Sequence, residues 1–567
     1  MRTILFISLI VACSTQLLAQ KIGKKVQFVG SARTLLSYSD FRSEGVDTVT
    51  APASFGGYGL IDLGVKINPN SQTEILGMFR INTQLGGFWG ANVSFDVRQL
   101  HVKGVAANTV RYQIGTIDFK LTPYTFFNHN PDILLPSTGT MRIKEEVFNY
   151  ESFFTDNNTW RQQGAAIDFA LQFPKIIQEI QFNGFICRLE PSNFQNVFDR
   201  LFGGGNVVVQ QSKYFTLGVN HASIFDVRGT ALSDDVYSNN VSSLTYDFTY
   251  DMDNFTLGLD GESGISSTIY SPNDEASQLS DYFVHVRAYF NIKKLNLNFD
   301  LGYMDNGPDF RAFGAQSKRV NFNRQNTFYP RYTNDQTLRP LSYFDLYNDP
   351  TLYDRNITVG VMAYDPAVSN VLPYGITTFN RRGGYLGVSY SDSLQVIAAD
   401  LKYHLLQEVR GQGTETLKNF HFLQGNLRFS LSNLLKWKNN VALQLGVAYQ
   451  NTTRPSDVSF EAINLNSVLL NTGIEVEFVD RLTLMINYFM MQSQGNELLP
   501  QRGVTEEIIN FQPYSINGVE WNLASGLRFN FSKNVYLAAM YEFNNNRFMD
   551  YTPYQYHQVS VYYIMNF

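Results

Sequence analysis

Two-residue alternation constrains this chain more than any other feature. In Leu295-Asn296-Leu297-Asn298-Phe299-Asp300-Leu301-Gly302-Tyr303 every second residue is apolar and those between are polar or glycine. Val441-Ala442-Leu443-Gln444-Leu445-Gly446-Val447-Ala448-Tyr449 alternates in the same way, as do runs at 61–67, 284–290, 482–488 and 527–531. Successive side chains of a strand point to opposite faces, so each run predicts a strand with one greasy and one wet face. The wet face carries Asn, Gln, Asp, Arg and Gly. A soluble β-sandwich alternates too, so length and turn asymmetry must decide. The runs cover about 9–14 residues, against about 5–6 for soluble strands, which is enough to cross a bilayer at a tilt.

Many runs end in tight polar links, such as Asn68-Pro69-Asn70, Met252-Asp253-Asn254, Lys293-Lys294, Ser391-Asp392-Ser393, Val479-Asp480-Arg481 and Ser532-Lys533-Asn534. Between these hairpins lie long irregular stretches, near 121–161, 191–207, 306–383, 452–466 and 494–515. Short turns on one rim and long loops on the other is the arrangement of a transmembrane barrel. Closure has a physical cause: lipid offers no partner to an unpaired backbone donor, so an open sheet edge is excluded. The expected fold is therefore all-β, a single large closed antiparallel transmembrane β-barrel of about 20 strands, within a range of 18–22. The count turns on 208–251. If Tyr214 to Phe225 is a full strand, parity asks for another inside 306–383, at Ile357 to Tyr364, and the total becomes 22; otherwise 191–239 is one large outer excursion and the total is 20.

The C-terminus carries a resemblance. Val559, Val561, Tyr563, Met565 and Phe567 share one apolar face of the last strand, and the chain stops on Phe567. This resembles the terminal strand of Gram-negative outer-membrane β-barrels of the porin-like type, which has an aromatic last residue and a hydrophobe two positions before it. That family commonly has glycine five residues before its end, where this chain has Tyr562. The resemblance implies that Val561, Tyr563, Met565 and Phe567 form a barrel-closing signal read by the barrel-assembly machinery. It also implies an even strand number and contact with outer-membrane lipid and lipopolysaccharide. The Asn-, Tyr- and Phe-rich strands resemble barrels of the Bacteroidota.

The N-terminus reads as an export signal over 1–19: Met1-Arg2, an apolar run Ile4 to Ala12 too short to span a bilayer, and Leu17-Leu18-Ala19 before Gln20. The barrel is then 20–567. Ile10-Val11-Ala12-Cys13 also resembles a lipobox, which would make Cys13 a lipidation site. Otherwise Cys187 is the one cysteine of the exported chain and packs as a small apolar residue. Strand pattern starts near Val26, so no N-terminal plug is expected. The lumen must be open, filled by the chain's own loops, or filled by a partner. Mean hydropathy is −0.18 and aromatics are 14% of residues, with 33 Tyr and 45 Phe. The aromatic excess suits girdles at two membrane interfaces. A net charge of −6 supplies no basic excess for phosphates, which argues against nucleic acid.

Three stretches invite a functional reading. With Ile61, Leu63, Val65 and Ile67 toward lipid, Asp62 and Lys66 face the lumen, followed on later strands by Arg80, Asp96, Arg98, Arg111, Asp118 and Lys120. Such a mixed-charge wall sets a transverse field; the plainer reading is cross-strand pairing worth roughly 0.2–1 kcal/mol per pair. The second stretch, 122–160, is too apolar for a solvated loop; it constricts the lumen, docks a partner, or packs on the wall. The third, 306–383, mixes Arg and Asp with Tyr and Phe and lacks the ligand spacing of a calcium loop. The seven histidines are scattered without a zinc motif, and no phosphate loop or nucleophile elbow occurs. No enzyme activity, metal or cofactor is expected. The two functions in view are a porin-like channel for passive passage of small hydrophilic solutes, and a non-conducting barrel subunit of an outer-membrane complex for protein insertion or type IX secretion.

Overall fold

The computed structural model describes residues 25–43, 53–84, 93–127, 159–233, 235–271, 277–316, 366–502, 508–549 and 553–567, with several positions between 128 and 158. The export signal and Cys13 lie outside them. In order, the strands are β1 (Val26–Ser43), β2 (Ala53–Asn70), β3 (Thr73–Gln84), β4 (Val93–Ala106), β5 (Val110–Phe119), β6 (Trp160–Gln172), β7 (Glu179–Glu190) and β8 (Asp199–Gln210). Then come β9 (Phe215–Val227), β10 (Val236–Asp251), β11 (Phe255–Ser271), β12 (Ser277–Ile292), β13 (Leu297–Asn306), β14 (Arg381–Ser391) and β15 (Ile397–Gln407). The last are β16 (Asn419–Ser430), β17 (Val441–Arg454), β18 (Ile463–Val479), β19 (Leu482–Arg502), β20 (Ile508–Ser532), β21 (Val535–Phe548) and β22 (Tyr554–Asn566).

Every strand pairs antiparallel with the next, and β22 pairs with β1, giving a closed 22-stranded barrel. The seam is held to the last residue: Gly30 N–H donates to the Phe567 carbonyl at 2.8 Å, and Phe567 N–H to the Gly30 carbonyl at 2.9 Å. Outward positions form the lipid face. Phe95, Leu301 and Ile265 are 65%, 65% and 62% exposed, while alternate positions such as Asp62, Glu262 and Met304 are buried inside. A sheet with exposed aliphatic and aromatic residues outside and polar ones inside has inverted the arrangement of a water-soluble barrel.

The structure settles the strand count at 22, at the top of the expected range. The extra pair is β8 and β9, so 191–207 is mostly strand, with a link only at 191–198. The parity partner was sought at Ile357 to Tyr364, which lies outside the described residues. The stretch 494–515 is likewise mostly strand: β19 and β20 continue through it as a long hairpin. Within 452–466 the loop shrinks to 455–462. These polar, Asn-rich stretches read as loops because strand ends that rise past the lipid need no greasy face.

The lumen is filled by the chain's own loops. The links after β5 and β13 leave the same rim, and their described parts, 121–127, 307–316 and 366–380, turn inward. Tyr124, Phe126, Phe310, Phe313, Tyr374 and Phe379 pack against Phe185, Phe202, Tyr237 and Phe283 of the wall. Leu135, Ala367, Val371 and Leu372 join inward residues of β13 and of β15 to β21. Ile143 joins Leu35, Leu60, Met485, Tyr536 and Tyr562 near the seam. Tyr562 therefore points inward as packing, which accounts for an aromatic where the resembling family has glycine.

If the seam closes as described, the facing outward pair Tyr38 and Val559 will crosslink. Tyr38→Cys with Val559→Cys, oxidised in detergent, should give a disulfide in most of the folded protein, since facing Cα atoms lie within disulfide reach. An open barrel would leave both thiols free to alkylation.

Candidate functional site

Below the loops, toward the short-turn rim, the barrel keeps a cavity of about 440 Å³. The inward row that lines it runs directly across consecutive strands: Thr216, Asp247, Asp260, Arg287, Gly302, Tyr385, His404 and Phe422 are opposed in register from β9 to β16. Alternation alone places each of them inside. Pro123, Leu372 and Ile376 of the two loops close the cavity above.

The row has an ionic half and an aromatic half. The Arg287 guanidinium donates to both oxygens of Asp260, at 2.6 Å for the shortest contact, and lies 3.6 Å from Asp300. Next to it, Tyr385 sits 5.1 Å from His404, ring centre to ring centre, and His404 sits 6.0 Å from Phe422. Glu262, buried behind the cavity, accepts the Thr122 and Ser243 hydroxyls at 2.6 Å each and ties the first loop to the wall.

The loops are anchored by charged groups as well as apolar ones. The Tyr124 hydroxyl donates to the Ile376 carbonyl at 2.9 Å, which fastens one loop to the other. Burial pushes that hydroxyl well above its usual range, so it stays a donor. Arg381 donates to the carbonyls of Val371 and Asn370, at 2.9 and 3.1 Å, with its guanidinium 3.6 Å from the Phe420 ring centre. Above β15, Lys418 Nζ meets Glu497 Oε1 at 2.6 Å, and Asn370 donates to Glu497 Oε2 at 2.8 Å. Glu408, buried beside them, has its carboxyl raised above the usual range by desolvation, against the lowering pull of Lys418.

The charges singled out in the sequence are only partly brought together. Asp62 is fully buried between Arg80, 2.5 Å away, and Arg98, 3.3 Å away. Lys66 pairs with Glu74, which also holds Lys103 at 2.8 Å. Arg111 pairs with Asp168 of β6. Arg98 is the bulged residue of β4, and Asp96 stands opposite Arg80 in the register. Asp118 is exposed and takes the Thr159 hydroxyl, while its neighbours Ile117 and Phe119 turn to the loop cluster. Lys120 lies 6.0 Å from the Phe127 ring, in the loop rather than on the wall. The row from Asp247 to His404 was missed because it spans six strands, with a long link between β13 and β14. The matching signal was present in the phase of each alternating run.

No protein-family profile matches the chain, and no curated protein does. Solved structures do. Pseudomonas aeruginosa OccK9 (OpdG) matches at 10% identity over 96% of this chain and 98% of that one, with a TM-score of 0.34. P. aeruginosa OpdK with vanillate matches at 9% over 95% and 99%, with 0.33. The FrpB iron transporter of Neisseria meningitidis matches at 8% over 96% and 82%, with 0.46. Among the described residues, no group of three or more His, Cys, Asp or Glu is placed to hold a metal ion.

Lys418→Met tests the anchor. It strands Glu497 in a buried site, which typically costs about 3–5 kcal/mol. The unfolding midpoint in denaturant should fall, whereas an unchanged midpoint would mean that the contact is not formed.

Proposed function

We propose that the chain is an outer-membrane porin-like channel for passive passage of small hydrophilic solutes, with its two inward loops as the constriction. The observation that carries this reading is the polar, ion-paired row around a cavity inside a membrane-crossing barrel. A barrel that only has to be packed can fill that space with apolar side chains. The barrel belongs, on this reading, in the outer membrane of a Gram-negative bacterium, among lipid and lipopolysaccharide, with Val561, Tyr563, Met565 and Phe567 presented to the assembly machinery.

Charge across the lumen supports a selective path. Among the described residues, the inner wall of β1 to β6 carries Arg33, Lys66, Arg80, Arg98, Lys103 and Arg111 against Asp62, Glu74 and Asp168. The far side, β10 to β13, carries Asp247, Asp260, Glu262 and Asp300 against Arg287. Opposed walls of unlike charge produce a transverse field that orients dipolar solutes.

A second reading has its own observation. The three apolar clusters bind the loops to the wall around most of the ring, as suits a closed barrel serving as a non-conducting subunit of an outer-membrane complex for protein insertion or type IX secretion. Planar bilayers separate the two. The channel reading expects steady conductance steps from the purified barrel and larger steps from Arg381→Ala, which frees the second loop from β14. A folded barrel that stays silent in both forms supports the subunit.

A further inference from the structure

Tyr385 lies in an unusual posture. Its Cα belongs to β14, yet its hydroxyl meets His285 Nε2 of β12 at 2.9 Å, two strands away. Neighbouring strands are about 4.8 Å apart, so the ring must cross β13 to reach that partner. It crosses at Gly302, the residue directly opposed to Tyr385. A Cβ on Gly302 would stand 2.1 Å from the ring, so any other side chain there would push the ring away. The ring therefore lies flat on the wall, one face on glycine backbone and the other toward the cavity. Tyr289 repeats the device nearer the short-turn rim. Its ring covers Gly258, opposed to it in register, and its hydroxyl lies 2.5 Å from Thr249 of β10. Arg287 covers Tyr289, with its guanidinium 5.4 Å from the ring centre. Tyr385 is thus the flat ring that borders the cavity.

We propose that the Tyr385 face and the Asp260–Arg287–Asp300 cluster beside it form a binding subsite for a neutral polyhydroxylated ring, a saccharide of one or two units. A flat aromatic face suits the C–H face of a sugar ring, as a large rigid contact that loses little side-chain entropy. The ionic cluster supplies what the hydroxyls need. Arg287 donates and the two carboxylates accept, which leaves the cluster with one net negative charge. An anion meets that net negative charge and a cation finds the carboxylates already engaged by Arg287, whereas hydroxyls find donors and acceptors together. The cavity, about 440 Å³, falls in the range of small-molecule sites. This inference rests on the reading of the lumen as a solute path, but it concerns equilibrium binding and not passage.

The test is calorimetric titration of the full barrel in detergent with maltose and cellobiose, with benzoate and benzyltrimethylammonium as charged rings. Binding requires no conductance, so a silent barrel that binds sugar defeats the channel reading and leaves the subsite standing. At least one disaccharide should bind saturably, and the charged rings weakly or not at all. Tyr385→Leu should weaken the binding roughly tenfold, on the order of one aromatic contact. Tyr385→Phe, which keeps the ring, should retain most of it. Gly302→Val lifts the ring from beneath and should act like Tyr385→Leu; heat-modifiable migration of each variant checks that the barrel is folded. Preference for either charged ring, sugar binding indifferent to Tyr385→Leu, or no saccharide binding at all would overturn the proposal.

Discussion

The structure depends on one constraint: every backbone N–H and C=O in lipid must find a partner within the protein. A strand satisfies half of its groups on each side, so the sheet can end only by meeting itself. The meeting of β1 with β22 is therefore the interaction on which the other 21 strand pairings rely. The alternation follows from the same constraint, because each closed strand presents one face to hydrocarbon and one to the interior.

Closure at this strand number creates a second problem. A barrel of about eight strands fills its interior with wall side chains, but the diameter grows with strand number. Here 22 strands leave a lumen that the wall cannot fill. The chain resolves this with loops from one rim, whose aromatic residues are buried as fully as those of a soluble core: Tyr124, Phe126, Phe310 and Phe313 all have no exposed surface. Their backbone groups must also be satisfied. Phe127 N–H donates to the Gly314 carbonyl at 3.0 Å, Asn370 N–H to Gln450 Oε1 at 3.0 Å, and Arg311 N–H to Ser266 Oγ at 3.0 Å. Polar wall residues thus serve two ends, facing the cavity below the loops and bonding loop backbone above it.

The barrel was legible in the sequence because its cause is local: period 2 can be read within a single strand that crosses lipid. The strand count was less so, since Asp199–Gln210 opens with charges and carries Gly203-Gly204-Gly205, so neither face alternates cleanly there. The long hairpin of β19 and β20 was hidden for a related reason, as its outer ends leave the lipid that imposes the pattern. The candidate site was legible only in part. Asp62, Arg80 and Arg98 could be placed on the inner face by counting. The relation of Tyr385 to Gly302 and His285 is a matter of register between strands whose sequence positions differ by about 80 and 100, with a long loop between, and no count along the chain contains it. Glycine in phase with the wet face, as at Gly302 and Gly258, is the one local trace that such rings leave.

The central claim is that two long loops fold into the barrel and become part of its interior. Hydrogen–deuterium exchange on the barrel in nanodiscs measures this directly. Amides of 122–127, 307–316 and 366–380 should exchange on the slow timescale of the wall strands that they pack against. Complete exchange of those segments within seconds, with the strands still protected, would mean that the loops stand outside the lumen, and would contradict the account.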